Sequence, residues 1–171
     1  MKKLLFITAV SFCCFSVKAQ TEPVKKVTIY DPSADAKADI EKAVGLASKE
    51  HKNVLLQIGG NWCGWCVLLN DKVNNDPELS KALHDNYELV HVNYSPENKN
   101  EKLLAGLGYP QRFGFPVLVV LDSKGNRIHT QNTSYLEEGH GHSKEKVMQF
   151  FKDWSPAAID PNTYAKETKS N

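Results

Sequence analysis

Apolar residues along this chain recur in two periods. Val54-Leu55-Leu56-Gln57-Ile58 and Val117-Leu118-Val119-Val120-Leu121 are near-continuous apolar runs, the pattern of strands covered on both faces. Tyr87 to Tyr94 alternates, as a strand with one covered face does, and Val27–Tyr30 reads as a first strand. Asp122-Ser123-Lys124-Gly125-Asn126 is turn chemistry, so Arg127–Thr133 is expected to pair back on Val117–Leu121 as a hairpin. The helical period appears in Ala34–Lys49, with Ile40, Val44 and Ala47 on one stripe, and in Cys63–Val73, with Cys66, Leu69 and Val73. Asp76-Pro77 is an N-cap followed by proline at the first helical position and opens a helix through His84. A short helix spans Asn98–Leu107 and stops at Gly108-Tyr109-Pro110. The last helix, Ser143–Trp154, turns Val147, Phe150, Phe151 and Trp154 toward the core, and Pro156 onward reads as a frayed tail. Alternation first and a hairpin later predict an α/β protein with a mixed sheet.

The N-terminus follows a different rule. Met1-Lys2-Lys3 is basic, Leu4 to Val17 is mostly apolar, and Val17-Lys18-Ala19 supplies small residues, so a signal peptide is expected over 1–19 with cleavage before Gln20. The apolar stretch is shorter than the roughly 20 residues of a membrane-spanning helix. The mature protein is therefore expected to be soluble and exported, to the periplasm or outside the cell. A lipid-bearing Cys13 or Cys14 is disfavoured, because Phe12 precedes one and Cys13 the other where a small residue belongs. Losing Lys2, Lys3 and Lys18 takes the formal charge from +1 to −2, which gives no reason to expect nucleic acid or an anionic membrane as partner. About 150 mature residues suit one domain and, we expect, a monomer.

Export also reduces four cysteines to two, Cys63 and Cys66. A bridge over so short a loop constrains the unfolded chain weakly and is a poor structural staple. The pair stands where an apolar strand gives way to a helix, and a helix N-terminus offers unpaired N–H groups and partial positive charge that favour thiolate on the first cysteine. Thiolate is the form that attacks disulfides, so the pattern points to redox chemistry. A zinc site would need two more ligands. The candidates, His140 and His142 with Glu137 or Glu138, lie far along the chain in a polar run that reads as a solvated loop. His91 is expected at an outward or edge position of its strand, and His51 and His84 near helix ends, where they meet the dipole. Asn132-Thr133-Ser134 fits a glycosylation sequon.

From Lys52 to Trp154 the chain resembles the thioredoxin superfamily. Trp62-Cys63-Gly64-Trp65-Cys66 is similar to that family's Trp-Cys-Gly-x-Cys active site at the same strand-to-helix junction. Gly114-Phe115-Pro116-Val117 is similar to its cis-proline segment, and Leu121–Asn126 to the turn that follows. The resemblance implies a thioredoxin fold, a mixed central sheet flanked by helices, with an N-terminal extension. It divides the chain into signal peptide (1–19), lead-in (20–29), thioredoxin-like domain (30–157) and tail (158–171). It also implies roles: Cys63 as exposed nucleophile, Cys66 as resolving thiol, and Trp62, Trp65, Phe115 and Pro116 as substrate-binding. Pro116, in a cis bond, would lie against the sulfurs and leave the Phe115 backbone free to pair with an extended substrate.

Two departures matter. Gln57 stands where thioredoxins carry a buried acid, and an amide cannot take the proton of Cys66. Gly64-Trp65 adds bulk but no charge, which inclines the pair toward the reducing side. The function expected is an exported protein thiol–disulfide oxidoreductase without an organic cofactor. Its partners would be exported proteins with disulfides or thiols and a redox-recycling partner, in the membrane or outside it. The alternative is a client-binding folding helper that uses the same groove, with Trp65 and Phe115 as apolar contacts.

Overall fold

The computed structural model describes residues 28–165, so the signal-peptide expectation, with most of the lead-in, lies outside the described residues. A four-stranded sheet runs in the order β2 (Tyr87–Asn93), β1 (Asn53–Gly59), β3 (Val117–Leu121), β4 (Arg127–Asn132). β1 pairs parallel with β2 and antiparallel with β3, while β4 returns antiparallel on β3. The mixed sheet thus has the predicted apolar runs at its centre, and every residue of β1 and β3 is buried.

Alternation along these strands divides the interior into two layers. Val54, Leu56, Ile58, Val117 and Val119 face α1 (Ala36–Glu50) and α4 (Glu101–Gly106), together with Ala43, Ala47 and Leu104. Leu55, Leu118 and Val120 face the other side, packed with residues of α2 (Gly64–Asn75), α3 (Pro77–Asn86) and α5 (Lys144–Asp153). Gln57 shares the parity of Leu55 and so points toward α2. The ends of the helices are set by capping: Asp35 accepts N–H groups of Lys37 and Ala38, and Asp76 those of Glu78 and Leu79 ahead of Pro77. Lys144 then reaches back to Asp76 at 2.9 Å, joining α5 to α3.

The structure corrects the sequence reading in four places. Residues 28–30 form no strand, because the N–H groups of Ile29 and Tyr30 go to the side chain of Asn61 instead of a neighbouring strand. The Glu137–His142 run is not simply a solvated loop. It folds into a small hairpin, β5 (Glu137–Glu138) with β6 (Gly141–His142), in which His140 is exposed and His142 is buried. His91 does sit on edge strand β2, yet its ring is turned in against Tyr30, with centroids 5.4 Å apart. Beyond Pro156 the chain makes two single helical turns, α6 (Pro156–Ile159) and α7 (Pro161–Tyr164), each with a capping side chain (Ser155, Asp160) followed by proline.

β1 ends against the cysteine motif so closely that only glycine fits. A Cβ at Gly59 would lie 2.4 Å from Cys66 Sγ and 2.9 Å from the Tyr30 hydroxyl. Gly59→Ala is expected to cost roughly 1–3 kcal/mol, the range for overpacking a filled interior, as read from denaturant unfolding. Stability unchanged in that variant would contradict the close approach.

Burial holds the imidazoles of His91 and His142 below the ordinary histidine value, since desolvation disfavours the charged ring. An unfolded histidine titrates near about 6.5, so on acidification the unfolded chain binds these protons first and stability falls. The contribution is complete above that pH and is lost below it. The urea midpoint is expected to drop between about pH 7.5 and about pH 5.5, and to drop clearly less in His142→Leu. Equal drops in the two proteins would exclude His142 as a source.

Candidate functional site

The site is assembled at the C-terminal end of β1. Past Gly59 the chain leaves the sheet, turns at Gly60 and enters α2, with Cys63 as its N-cap residue. Cys63 and Cys66 are joined in a disulfide with Cα atoms 5.2 Å apart. The backbone N–H of Cys66, in the first turn of the helix, is shared between Cys63 Sγ and the Cys63 carbonyl, each at 3.1 Å. The same donor, with the partial positive charge of the helix end, favours a thiolate at Cys63 once the bond opens.

Neither sulfur stands in the open. Cys63 is 6% exposed and Cys66 fully covered, so the expected exposed nucleophile is instead nearly enclosed in the disulfide form. The cause is an apolar shell of Tyr30, Ile29, Trp65 and Phe115 packed around the pair.

Trp62 is the exposed member of the group, at 58%. Its indole N–H donates to the Tyr94 carbonyl at 2.7 Å, and its ring meets Phe115 edge-on at 5.5 Å. Gly60 permits this, because a Cβ there would come within 2.4 Å of the indole nitrogen. Tyr94 in turn lies 4.7 Å from Phe115, giving a continuous aromatic ledge beside the sulfurs. Phe115-Pro116 is a cis peptide, as the resemblance implied, and Pro116 is buried. The Pro116 carbonyl accepts from the Thr133 hydroxyl, which fastens the segment from behind. No backbone hydrogen bond among the described residues involves Phe115. The six expected site residues therefore gather in one place: Cys63, Cys66 and Pro116 inside, Trp65 and Phe115 partly covered, and Trp62 at the rim.

Several residues of the site were not anticipated. Asn61 is a clamp: its Oδ1 accepts from Ile29 and Tyr30 at 2.8 and 3.0 Å, and its Nδ2 donates to the Tyr30 carbonyl at 2.7 Å. This draws the chain before α1 across the motif and buries Tyr30 beside Cys66. Gln57, in the place of the expected acid, donates to the Tyr30 hydroxyl at 2.9 Å and to the Cys66 carbonyl at 3.4 Å. Burial raises the Tyr30 phenol far above its usual range, so it stays protonated. His142 meets Trp65 edge-on at 5.5 Å, so the β5–β6 hairpin packs against the motif at Trp65. The one signal in the sequence for these contacts is Asn61 itself, a polar residue next to the motif with no helix to cap. The sequon is also accounted for locally, since the Asn132 side chain accepts from the Ser134 N–H and Thr133 is buried.

This arrangement has known counterparts. A disulphide isomerase structure from Xylella fastidiosa Temecula1 is 29% identical and superposes with a TM-score of 0.65 over 73% of this chain and 95% of that one. A solved DsbH oxidoreductase, 22% identical with a TM-score of 0.50 over 66% of this chain and 78% of that one, shares the fold. The disulfide bond reductase DsbH of Chlamydia pneumoniae is 26% identical over 93 residues, 51% of this chain and 56% of that protein, so the chain spans little more than half of that curated relative. The family model described as thioredoxin-like matches residues 35–123, across β1, the cysteine motif, the cis-proline and β3. The chain belongs to the thioredoxin-like family.

Proposed function

We propose that the protein is an exported thiol–disulfide oxidoreductase, acting as a reductase, that exchanges disulfides with other exported proteins through Cys63 and Cys66. The observation that carries this reading is the disulfide itself, closed across the first turn of α2 with a helix N–H on the sulfur of Cys63. In the reduced form the Cys63 thiolate attacks a substrate disulfide. A bond from Cys63 to one substrate sulfur forms, and the other leaves as thiolate. Cys66 then attacks Cys63 Sγ, which restores the internal disulfide and releases the second substrate thiol. The substrate gains two electrons and two protons in all, and the pair returns to the form described here.

The substrate enters as an extended segment along Phe115-Pro116, where the Phe115 backbone makes no backbone hydrogen bond among the described residues. Trp62 and Trp65 flank it with apolar surface, and no charged side chain lies within Gly64-Trp65 to select for charge. The reducing direction rests on that uncharged dipeptide and on the relative named a disulfide bond reductase. Export rests on the N-terminal 1–19 segment, and among the described residues no helix is long and apolar enough to cross a membrane. Continued turnover needs a partner protein that returns electrons to the pair.

In an insulin-reduction assay driven by dithiothreitol, the wild-type protein is expected to accelerate precipitation, and Cys63→Ser to fall to the rate of dithiothreitol alone. Equal rates for the two proteins would favour a client-binding module that does not turn over. Cys66→Ser is expected to accumulate mixed disulfides with substrate proteins on non-reducing gels, because the resolving thiol is gone. A clean monomer band in the presence of those substrates would contradict the assignment of Cys66.

A further inference from the structure

To attack Cys63 Sγ, Cys66 must act as a thiolate, and Gln57, whose amide lies against the Cys66 carbonyl, is neither an acid nor a base. Cys66 is fully buried, and a buried thiol is held in its neutral form by the cost of desolvating the thiolate. Something must offset that cost when Cys66 attacks.

One polar group with an uncommitted proton stands beside it. The Tyr30 hydroxyl oxygen accepts from Gln57 Nε2 at 2.9 Å, which leaves its own hydrogen free to donate. A Cβ built on Gly59 would lie 2.4 Å from Cys66 Sγ and 2.9 Å from the Tyr30 oxygen, so both atoms border the same point in the buried cluster that holds the pair. Tyr30 is 2% exposed, which keeps bulk water from its side chain. Its position is fixed from two sides, by the three Asn61 hydrogen bonds to the 29–30 backbone and by the His91 ring packed edge-on to its own. No charged side chain takes part in these contacts.

We propose that the Tyr30 hydroxyl, oriented by Gln57, donates a hydrogen bond to the Cys66 thiolate whenever the disulfide is open. In the closed form the sulfur is a poor acceptor, and among the described residues the hydroxyl has no acceptor. Opening the bond frees that sulfur, and when it ionises the hydroxyl turns to it. The phenol remains protonated throughout because burial raises its own dissociation far above that of a thiol. It therefore holds the thiolate without taking or giving a proton. The resolving step then balances: Cys66 gives its proton up to solvent as the domain breathes, its sulfur bonds to Cys63 Sγ, the bond from Cys63 to the substrate breaks with its electron pair leaving on the substrate sulfur, and that sulfur takes up one proton from solvent in return. Tyr30 precedes the 35–123 segment that matches the family model. This role rests on the exchange reaction proposed above and deepens it.

The test is the titration of Cys66 in the reduced full-length protein, followed by its 13Cβ resonance and assigned by its loss in Cys66→Ser. Tyr30→Phe keeps the ring and removes the hydroxyl. It is expected to lower the acid dissociation constant of Cys66 about tenfold, since a hydrogen bond to the charged form favours that form. Asn61→Ala, which frees the segment carrying Tyr30, is expected to move the midpoint in the same direction, with no further shift when the two are combined. The wild-type protein offers a check that needs no variant. The 13Cζ resonance of Tyr30 is expected to change with the same midpoint as Cys66 when the protein is reduced, and to be pH-independent when it is oxidised. An unchanged Cys66 midpoint in a folded Tyr30→Phe protein, or a Tyr30 13Cζ signal flat through the Cys66 titration, would overturn the proposal. Neither result bears on whether the wild-type protein reduces insulin, so failure of this role and failure of the exchange reading are separable.

Discussion

The geometry of the whole site depends on where a fully paired central strand is forced to stop. β1 is held on both sides, by β2 and β3, and its backbone has no freedom to shift. The chain must leave the sheet at Gly59 and Gly60, both of which sit where a Cβ would collide with a neighbour. The helix that follows therefore begins at a fixed point, with Cys63 as its cap and Cys66 one turn in. Two sulfurs are brought to bonding distance by the strand–helix junction, while the layers of core on either face of the sheet keep that junction in place.

Around this junction the protein builds a shell that is mostly aromatic. Trp62, Tyr94 and Phe115 form an accessible ledge; Trp65 is backed by His142; Tyr30 lies beneath. Such a shell excludes water from the sulfurs without adding charge, so the helix N-terminus is left as the main electrostatic influence on Cys63. Polar groups inside the shell are few and mostly committed. Gln57 and Asn61 spend their amides on Tyr30 and on the Cys66 carbonyl. The result separates the two cysteines chemically: one at a helix end next to the rim, the other enclosed beside a phenol.

What could be read from the sequence was what is local. The apolar runs of β1 and β3, the Asp76-Pro77 cap, the cysteine motif and Phe115-Pro116 each declare themselves within a few neighbouring residues, and the structure places them as expected. The contacts that were missed are long-range and polar. Asn61 reaches Ile29 and Tyr30 across some thirty residues, and no period in the sequence announces a side chain that captures another segment's backbone. Val-Thr-Ile-Tyr suits a strand, yet the Tyr30 N–H is taken by the Asn61 side chain. Glu, Gly and His carry no apolar signal, so the run around His142 reads as solvated, although the hairpin buries that one ring against Trp65. Gln57 faces the Cys66 turn from β1, but its phenolic partner cannot be read from β1 alone.

The central claim is that the Cys63–Cys66 bond opens and closes while the domain stays folded. The most direct measurement equilibrates the protein over a series of glutathione redox ratios, traps free thiols with an alkylating reagent, and quantifies the peptide carrying both cysteines by mass spectrometry, with circular dichroism recorded on the same samples. The account predicts a two-electron transition in which both cysteines become alkylated together at an unchanged fold, Cys63 reacting faster than Cys66 in a timed pulse. A peptide that stays unmodified at every ratio until the domain unfolds would contradict it.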